Sequence, residues 1–168
     1  MNIDGFEIER KFLIKYPKKS FFDHCSSKSE ITQTYLVKKD DGMNARVRKR
    51  EYADRIEYTH TRKKHISDIR RIEEEFEIDE EQYNYLLKEA DKKRNVIKKF
   101  RYCIENEGHV FEIDVFPFWD DRAVMEVELS NEDEKFKTPP EIEIIKEITQ
   151  DKRYTNSSLA KAIPYEII

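Results

Sequence analysis

Charged and apolar residues alternate along many short segments of this 168-residue chain, and this pattern constrains the fold more than any other feature. Successive side chains of a β-strand point to opposite faces, so a period of two predicts strands with one charged and one apolar face. Glu126 and Glu128, for example, alternate with the apolar residues of their segment. The pattern predicts nine strands, at 5–14, 31–39, 43–51, 56–63, 70–78, 96–105, 109–117, 122–129 and 142–149.

Few helices accompany these strands. Asp79 has the character of a helix N-cap, and the apolar stripe that follows it predicts a helix over 80–93. Shorter helices are predicted near 18–25 and 155–163, and Gly108 marks a hairpin turn. With so many strands and so few helices, the sequence predicts a mainly β (α+β) fold whose antiparallel sheet closes, or nearly closes, on itself.

The composition excludes several classes of protein. Charged residues make up 40% of the chain, but 12% aromatic residues supply the large apolar groups of a folded core. A net charge of −4 gives no overall attraction to nucleic acid or to an anionic membrane, so neither partner is expected. There is no apolar run of membrane-spanning length and no signal peptide, and Cys25 and Cys103 lack the spacing of a zinc site. We therefore expect a cytoplasmic protein of one domain, residues 1–168.

The charged rows of the strands allow two arrangements. In the first, each row faces water on the outside of a sheet whose other face covers an apolar core. In the second, the apolar faces lie outward beneath helices, and the charged rows line the lumen of a closed sheet. The pattern alone leaves both arrangements open.

The chemistry of the rows indicates what a lumen of this kind would bind. The basic residues are Lys11, Arg46, Arg48, Lys63, Arg71, Lys99 and Arg101, and the acidic residues are Glu7, Glu9, Glu73, Glu75, Glu112, Asp114, Glu126 and Glu128. Carboxylates suit Mg²⁺ or Mn²⁺, whereas guanidinium and ammonium groups suit phosphate oxygens. The two sets together carry a net charge of −1, and two divalent cations would bring it close to balancing a triphosphate of about four negative charges. The rows therefore indicate a metal-bound polyphosphate.

The order of these rows resembles that of the CYTH superfamily, also called the triphosphate tunnel metalloenzymes. Its E-x-E-x-K motif is matched by Glu7, Glu9 and Lys11. The later rows follow in the family's order, as Arg46/Arg48, Thr61/Lys63, Arg71/Glu73/Glu75, Lys99/Arg101/Tyr102, Glu112/Asp114 and Glu126/Glu128. The tail from Lys146 to Asn156 is similar to the family's K-E-V-T-x-D-x-x-Y-x-N, so the resemblance covers about residues 5–163.

The resemblance implies a closed antiparallel tunnel of eight or nine strands with flanking helices, which binds a triphosphate together with Mg²⁺ or Mn²⁺, two ions in all. It implies metal ligands at Glu7, Glu9, Glu126, Glu128 and Asp114. It implies triphosphate ligands at Lys11, Arg46, Arg48, Lys63, Arg71, Lys99 and Arg101. The catalytic carboxylates, as candidates for orienting the attacking water, would be Glu73, Glu75, Glu112 and Asp114.

The activity implied by the resemblance is hydrolysis of the terminal phosphoryl group of inorganic tripolyphosphate or of a nucleoside triphosphate. The family also contains class IV adenylate cyclases, thiamine triphosphatases and RNA triphosphatases, and a non-catalytic sensor of polyphosphate or nucleotide is a further alternative. The segment Pro117–Trp119 would either stack on a base or thiazole ring or serve as an aromatic plug. A small-molecule triphosphate is the expected partner, and homodimer formation is left open.

Overall fold

The computed structural model describes residues 8–65 and 71–168, and within these ranges the side chains of His65 and Arg71 are not described. The strands are β1 Ile8–Lys15, β2 Ser27–Tyr35, β3 Asn44–Glu51, β4 Ile56–His65, β5 Arg71–Ile78, β6 Ile97–Asn106, β7 His109–Val115, β8 Arg122–Leu129 and β9 Ile144–Glu147. The α-helices are α1 Lys19–Phe22, α2 Glu80–Leu86 and α3 Asn156–Leu159, and short 3₁₀ turns cover Leu87–Glu89 and Lys152–Tyr154. The mainly β composition predicted from the alternation is therefore confirmed. No helix in the described ranges has the length and apolar character that crossing a membrane requires.

The nine strands form one antiparallel sheet in the order β5-β4-β3-β2-β6-β7-β8-β1-β9. In this order β5 and β9 are the end strands, so closure of the sheet into a tunnel stays a prediction. The described chain divides into two compact units. The first unit contains the described residues up to Ser29, with Lys99–Tyr154 and Tyr165–Ile168, and the second contains Glu30–Lys98 and Thr155–Pro164.

In the first unit, one face of β1, β7 and β8 forms the apolar core. The core residues occupy every second position of each strand, and Phe21 of α1 packs against them. Its buried strand residues are Phe12, Ile14, Phe111, Ile113, Val115, Ala123, Met125, Val127 and Leu129. The period of two thus places most charged residues of the same strands on the opposite face, whereas Arg10 lies over the Phe12 and Phe136 rings at the edge of the core.

In the second unit, α2 covers the apolar face of β3 and β4. Tyr83 of the helix is buried against Leu36 and Val47, and its ring lies 4.9 Å from that of Tyr58. The helix begins at Asp79 as predicted, because the Asp79 carboxylate accepts from the backbone N–H of Gln82 at 2.7 Å. The Gln82 side chain accepts in return from the backbone N–H of Asp79 at 3.0 Å, which completes a capping box.

The helix is shorter than the predicted 80–93, and its end shows the reason. After the 3₁₀ turn the backbone of Ala90 is extended and forms a β-bridge with Leu36. The N–H of Asp91 then donates to the carbonyl of Tyr35 at 2.9 Å. Pairing with the end of β2 therefore stops the helix, and β2 itself ends at Tyr35 rather than at the predicted residue 39.

The turn between β6 and β7 is where the sequence predicts it. Glu107 and Gly108 both have positive φ angles, of 47° and 82°. Asn106 and His109 on either side are paired across the strands. A two-residue turn with two positive φ angles follows the natural twist of a hairpin, which explains the glycine.

Candidate functional site

The charged face of the first unit gathers residues from four strands into one group, here called the first charged cluster. Its members are Glu9, Lys11, Lys99, Arg101, Glu112, Asp114, Glu126 and Glu128. The strand register brings them together, since Lys11 lies opposite Glu126 and Arg101 lies opposite Asp114. Glu7, predicted to precede this group, lies outside the described residues.

Asp114 is the buried centre of the cluster. One carboxylate oxygen, Oδ2, accepts from Lys99 Nζ at 2.6 Å and from Arg101 Nη2 at 2.9 Å, and Oδ1 accepts from Arg101 Nε at 2.7 Å. Asp114 and Lys99 are only 1% and 2% exposed. Such burial excludes, for Lys99 and Asp114, the first arrangement predicted from the sequence, in which each charged row faces water on the outside of the sheet.

Opposing effects of burial and charge set the protonation of this trio. Burial alone would raise the pKa of Asp114, but the charges of Arg101 and Lys99 and their hydrogen bonds outweigh it and hold that pKa far below its usual range. For Lys99 burial dominates and lowers the pKa to about 8, although Asp114 partly offsets the effect. Asp114 is thus a carboxylate that holds two cations in fixed positions.

Lys11 and Glu126 form a second buried pair on the same face. Their charged atoms, Nζ and Oε1, are 2.8 Å apart, and the two side chains are 15% and 14% exposed. Burial opposes both charges, yet Glu126 raises the pKa of Lys11 and Lys11 lowers that of Glu126. Arg101 joins this pair to the rest of the cluster, because it also contacts Glu112 and lies 3.9 Å from Glu126.

Carboxylates lie directly opposite one another at two places in the first charged cluster. Glu9 on β1 is paired with Glu128 on β8, and Glu112 on β7 is paired with Glu126 on β8. Like charges opposite one another destabilise a sheet unless a cation lies close to them, and in the second pair Arg101 contacts Glu112 and lies 3.9 Å from Glu126. The donor chemistry fits Mg²⁺ or Mn²⁺, which prefer oxygen ligands.

The described residues contain no group of three or more acidic, histidine or cysteine side chains placed to hold a metal ion. A Mg²⁺ ion in a phosphate-transfer site commonly uses only one or two carboxylates and completes its shell with water and phosphate oxygens. The opposed pair Glu9 and Glu128 meets that smaller requirement. Asp114, which was also predicted as a metal ligand, uses both of its oxygens to bind Lys99 and Arg101.

The second unit carries its own charged face, here called the second charged cluster. It comprises Arg46 and Arg48 on β3, Thr61 and Lys63 on β4, and Glu73 and Glu75 on β5. Lys63 Nζ lies 3.0 Å from Glu73, and Glu75 Oε1 accepts from Thr61 at 3.1 Å and from Arg48 at 3.4 Å. The backbone of Arg71 continues this row at the start of β5.

Some buried polar atoms of this face lack a hydrogen-bond partner within the described part of the chain. Nε of Arg46 and the hydroxyl oxygen of Thr59 are among them. A buried donor without an acceptor is costly, so the face is suited to receive an acceptor from a ligand. Thr59 was not predicted as a site residue, and only its place opposite Arg48 identifies it.

Gln33 and Tyr35 are polar residues beside the second charged cluster that were not predicted from the sequence. They are buried on β2, directly opposite Arg48 and Arg46. Gln33 Nε2 donates to the Tyr35 hydroxyl at 2.9 Å. Because neither side chain is charged, the alternation of charges gives no signal for them.

Comparison with known proteins gives the chain a family, although no family model matches it. It is 34% identical over 162 residues to an inorganic triphosphatase of Nitrosomonas europaea, and the match covers 94% of this chain and 99% of that protein. An inorganic triphosphatase of Acetivibrio thermocellus is 39% identical over 99 residues, which cover 58% of this chain and 61% of the relative.

A solved structure supports the same relationship. The crystal structure of the inorganic triphosphatase NE1496 matches with a TM-score of 0.60 and 32% identity, covering 95% of this chain and 97% of that one. The near-complete coverage of a relative above 30% identity agrees with the family resemblance of the motif rows in the sequence. The chain belongs to the family of the inorganic triphosphatases.

Proposed function

We propose that this protein hydrolyses the terminal phosphoryl group of inorganic tripolyphosphate with the help of Mg²⁺ or Mn²⁺. The observation that carries the proposal is the buried trio of Lys99, Arg101 and Asp114. Asp114 holds an ammonium group and a guanidinium group in fixed positions inside the fold. Both groups are donors that suit the oxygens of an anionic substrate. The names of the two relatives, both inorganic triphosphatases, favour the inorganic chain over a nucleotide.

The substrate would be held mainly by charge-assisted hydrogen bonds. In the first charged cluster the donors are Lys11, Lys99 and Arg101, whose carboxylate partners hold them in place before the substrate arrives. For the second charged cluster we propose the same role for Arg46, Arg48, Lys63 and Arg71. The unsatisfied Nε of Arg46 supports this role, since a phosphate oxygen would supply the missing acceptor.

The metal would be held by the opposed carboxylates. Glu9, Glu126 and Glu128 are proposed as its ligands, with Glu7 and Asp114 as further candidates and two ions as the proposed number. A divalent ion bound there would neutralise charge on the phosphate oxygens and help to align the reacting groups.

The remaining carboxylates would orient the attacking water. Phosphoryl transfer requires little covalent chemistry from the protein, so alignment of the nucleophile and neutralisation of the oxygens account for most of the catalysis. Glu73, Glu75, Glu112 and Asp114 are the proposed group. Of the two proposed residues in the first charged cluster, Glu112 is more exposed than Asp114. The accessible fraction of the Glu112 side chain is 36%, which leaves room for water beside it.

The experiment that tests this function measures phosphate release from tripolyphosphate, ATP, GTP and thiamine triphosphate, each with Mg²⁺, Mn²⁺ or EDTA. We expect metal-dependent release that is fastest with tripolyphosphate. Cyclic AMP is monitored in the ATP reaction, and its formation with pyrophosphate would identify a cyclase instead. Tight binding of tripolyphosphate without turnover would identify a sensor.

The variant Glu9→Gln tests the metal site. It removes a ligand charge and keeps the shape, so we expect metal-dependent turnover to fall by at least a hundredfold while the circular dichroism spectrum stays unchanged. Glu132→Gln changes an exposed glutamate of the loop after β8 in the same way and should keep full activity. Unaltered turnover of Glu9→Gln would exclude Glu9 as a metal ligand.

A further inference from the structure

Two cations of the first unit, Lys146 and Arg153, bind a carboxylate of the C-terminal segment, and a third cation, Arg122, belongs to the same group of residues. Glu166 Oε2 accepts from Lys146 Nζ at 2.5 Å, and its Oε1 lies 2.6 Å from Arg153. The guanidinium carbon of Arg122 lies 6.0 Å from the centre of the Trp119 ring, and that ring lies 6.0 Å from Tyr154. Lys146 Nζ is 5.5 Å from the same tyrosine ring, so these residues form one group.

Two donors in this group are buried without an acceptor. Arg122 binds Asp121 through Nε at 2.8 Å and Nη2 at 2.9 Å, but its Nη1 has no hydrogen-bond partner among the described residues. The indole N–H of Trp119 also has no hydrogen-bond partner among the described residues. The Arg122 side chain is 6% exposed and Trp119 is 4% exposed. Both of these atoms are donors, so each requires an acceptor. Among the described residues, Glu166 Oε1 and the Tyr154 hydroxyl of the same group also lack a hydrogen-bond partner.

The charges of the group show which kind of acceptor it is. Arg122, Lys146 and Arg153 are balanced by Asp121, Asp151 and Glu166 while the Glu166 carboxylate is in place. If that carboxylate moves away, one positive charge is left in excess. The group then combines a guanidinium edge, an ammonium and an indole N–H from different elements, and donors of these kinds suit a tetrahedral oxyanion.

We propose that Arg122, Trp119, Lys146 and Arg153 form a second anion site, which binds orthophosphate in exchange for the carboxylate of Glu166. Arg122 of this site precedes Glu126 of the first charged cluster by four positions on β8, a distance of about 13 Å along a strand. Glu166 competes from within the same chain, so its effective concentration is high and phosphate binds weakly to the unaltered protein.

Trp119 is the only tryptophan of the chain, and its fluorescence therefore reports on this site. Orthophosphate is titrated into the full chain without metal and at constant ionic strength. We expect the emission of Trp119 to change with a midpoint in the millimolar range, and Glu166→Gln to lower that midpoint about tenfold because the competing charge is gone. Ile167→Ala, which alters the neighbouring and fully exposed residue, is the matched control and should leave the midpoint unchanged.

Two further variants test the donors. Arg122→Gln should abolish the phosphate response of Trp119 and still hydrolyse tripolyphosphate at a rate within twofold of the unaltered protein. Trp119→Phe keeps an aromatic ring but removes the N–H, so the rise in melting temperature caused by phosphate should be smaller than in the unaltered protein.

Several results would overturn the proposal. One is that phosphate does not change the Trp119 emission of Glu166→Gln. Another is that Arg122→Gln keeps the full emission change with phosphate. A third is that acetate at the same ionic strength changes the emission as much as phosphate does. None of these measurements depends on turnover, so a failure here is distinct from a failure of the proposed hydrolysis.

Discussion

At the scale of the residue, Asp114 determines whether the first charged cluster can exist. Its two oxygens are the shared acceptors for Lys99 and Arg101, and all three side chains are at most 11% exposed. The variant Asp114→Asn keeps the shape and removes the charge. We expect the free energy of unfolding to fall by about 3–5 kcal/mol, since the change removes the buried carboxylate charge that Lys99 and Arg101 share.

Urea unfolding at pH 7 measures this loss. Asp120→Asn, a change at an exposed position, serves as the control and should cost less than about 0.5 kcal/mol. A loss for Asp114→Asn as small as that of the control would show that the cluster does not depend on this carboxylate.

Arg48 represents the second charged cluster at the same scale. Its side chain is 17% exposed and lies beside Glu75. We expect Arg48→Ala to raise the KM for tripolyphosphate about tenfold to a hundredfold, because a charge-assisted hydrogen bond to phosphate contributes about 1.5–3 kcal/mol. Steady-state kinetics measures this KM. The control is Lys49→Ala, which changes a residue on the opposite face of β3. Equal KM values for the two variants would place Arg48 outside the binding site.

At the scale of the element, strands were easier to predict than their ends. The rows of β7 and β8 follow from alternation alone, because every second residue is apolar and buried in the core. The ends of β2 and α2 do not, because a β-bridge between Leu36 and Ala90 decides both, and those residues are far apart in sequence. Gln33 was missed for a related reason. Its side chain is neutral, so only its position opposite Arg48 on the neighbouring strand connects it with the charged residues.

The capping box of α2 gives a prediction for this element. The helix has only seven residues, so its first turn is a large part of its hydrogen bonding. We expect Asp79→Ala to lower the free energy of unfolding by about 1 kcal/mol, because the N–H of Gln82 loses its acceptor. Thermal unfolding compares it with Asn84→Ala, an exposed change within the helix that should not destabilise it. If Asp79→Ala and Asn84→Ala have the same melting temperature, the Asp79 cap does not stabilise the start of α2.

At the scale of the whole molecule, the buried carboxylates predict how stability depends on acid. The folded pKa values of Asp114 and Glu126 are below the ordinary 3.8 and 4.5, so the unfolded chain binds more protons as the pH falls. Their contribution is therefore complete above about pH 5 and is lost progressively as the pH falls through and below 4.

Urea unfolding between pH 7 and pH 3 measures this dependence, and the midpoint should fall with pH. Asp114→Asn should show a shallower decline than the unaltered protein, because one of the two shifted carboxylates is gone. Parallel curves would mean that other acidic groups account for the acid sensitivity.

The facing pair of Glu9 and Glu128 has a consequence for how sequences of this kind diverge. Two acidic residues placed directly across neighbouring strands repel one another, and the apolar core of β1 and β8 lies on the reverse face. If the two bind a metal ion, as proposed, that use would favour keeping both carboxylates through mutation and selection. A descendant that had lost the activity would therefore be expected to replace one member of this pair early, gaining a more stable sheet, while the core residues on the reverse of the same strands would persist.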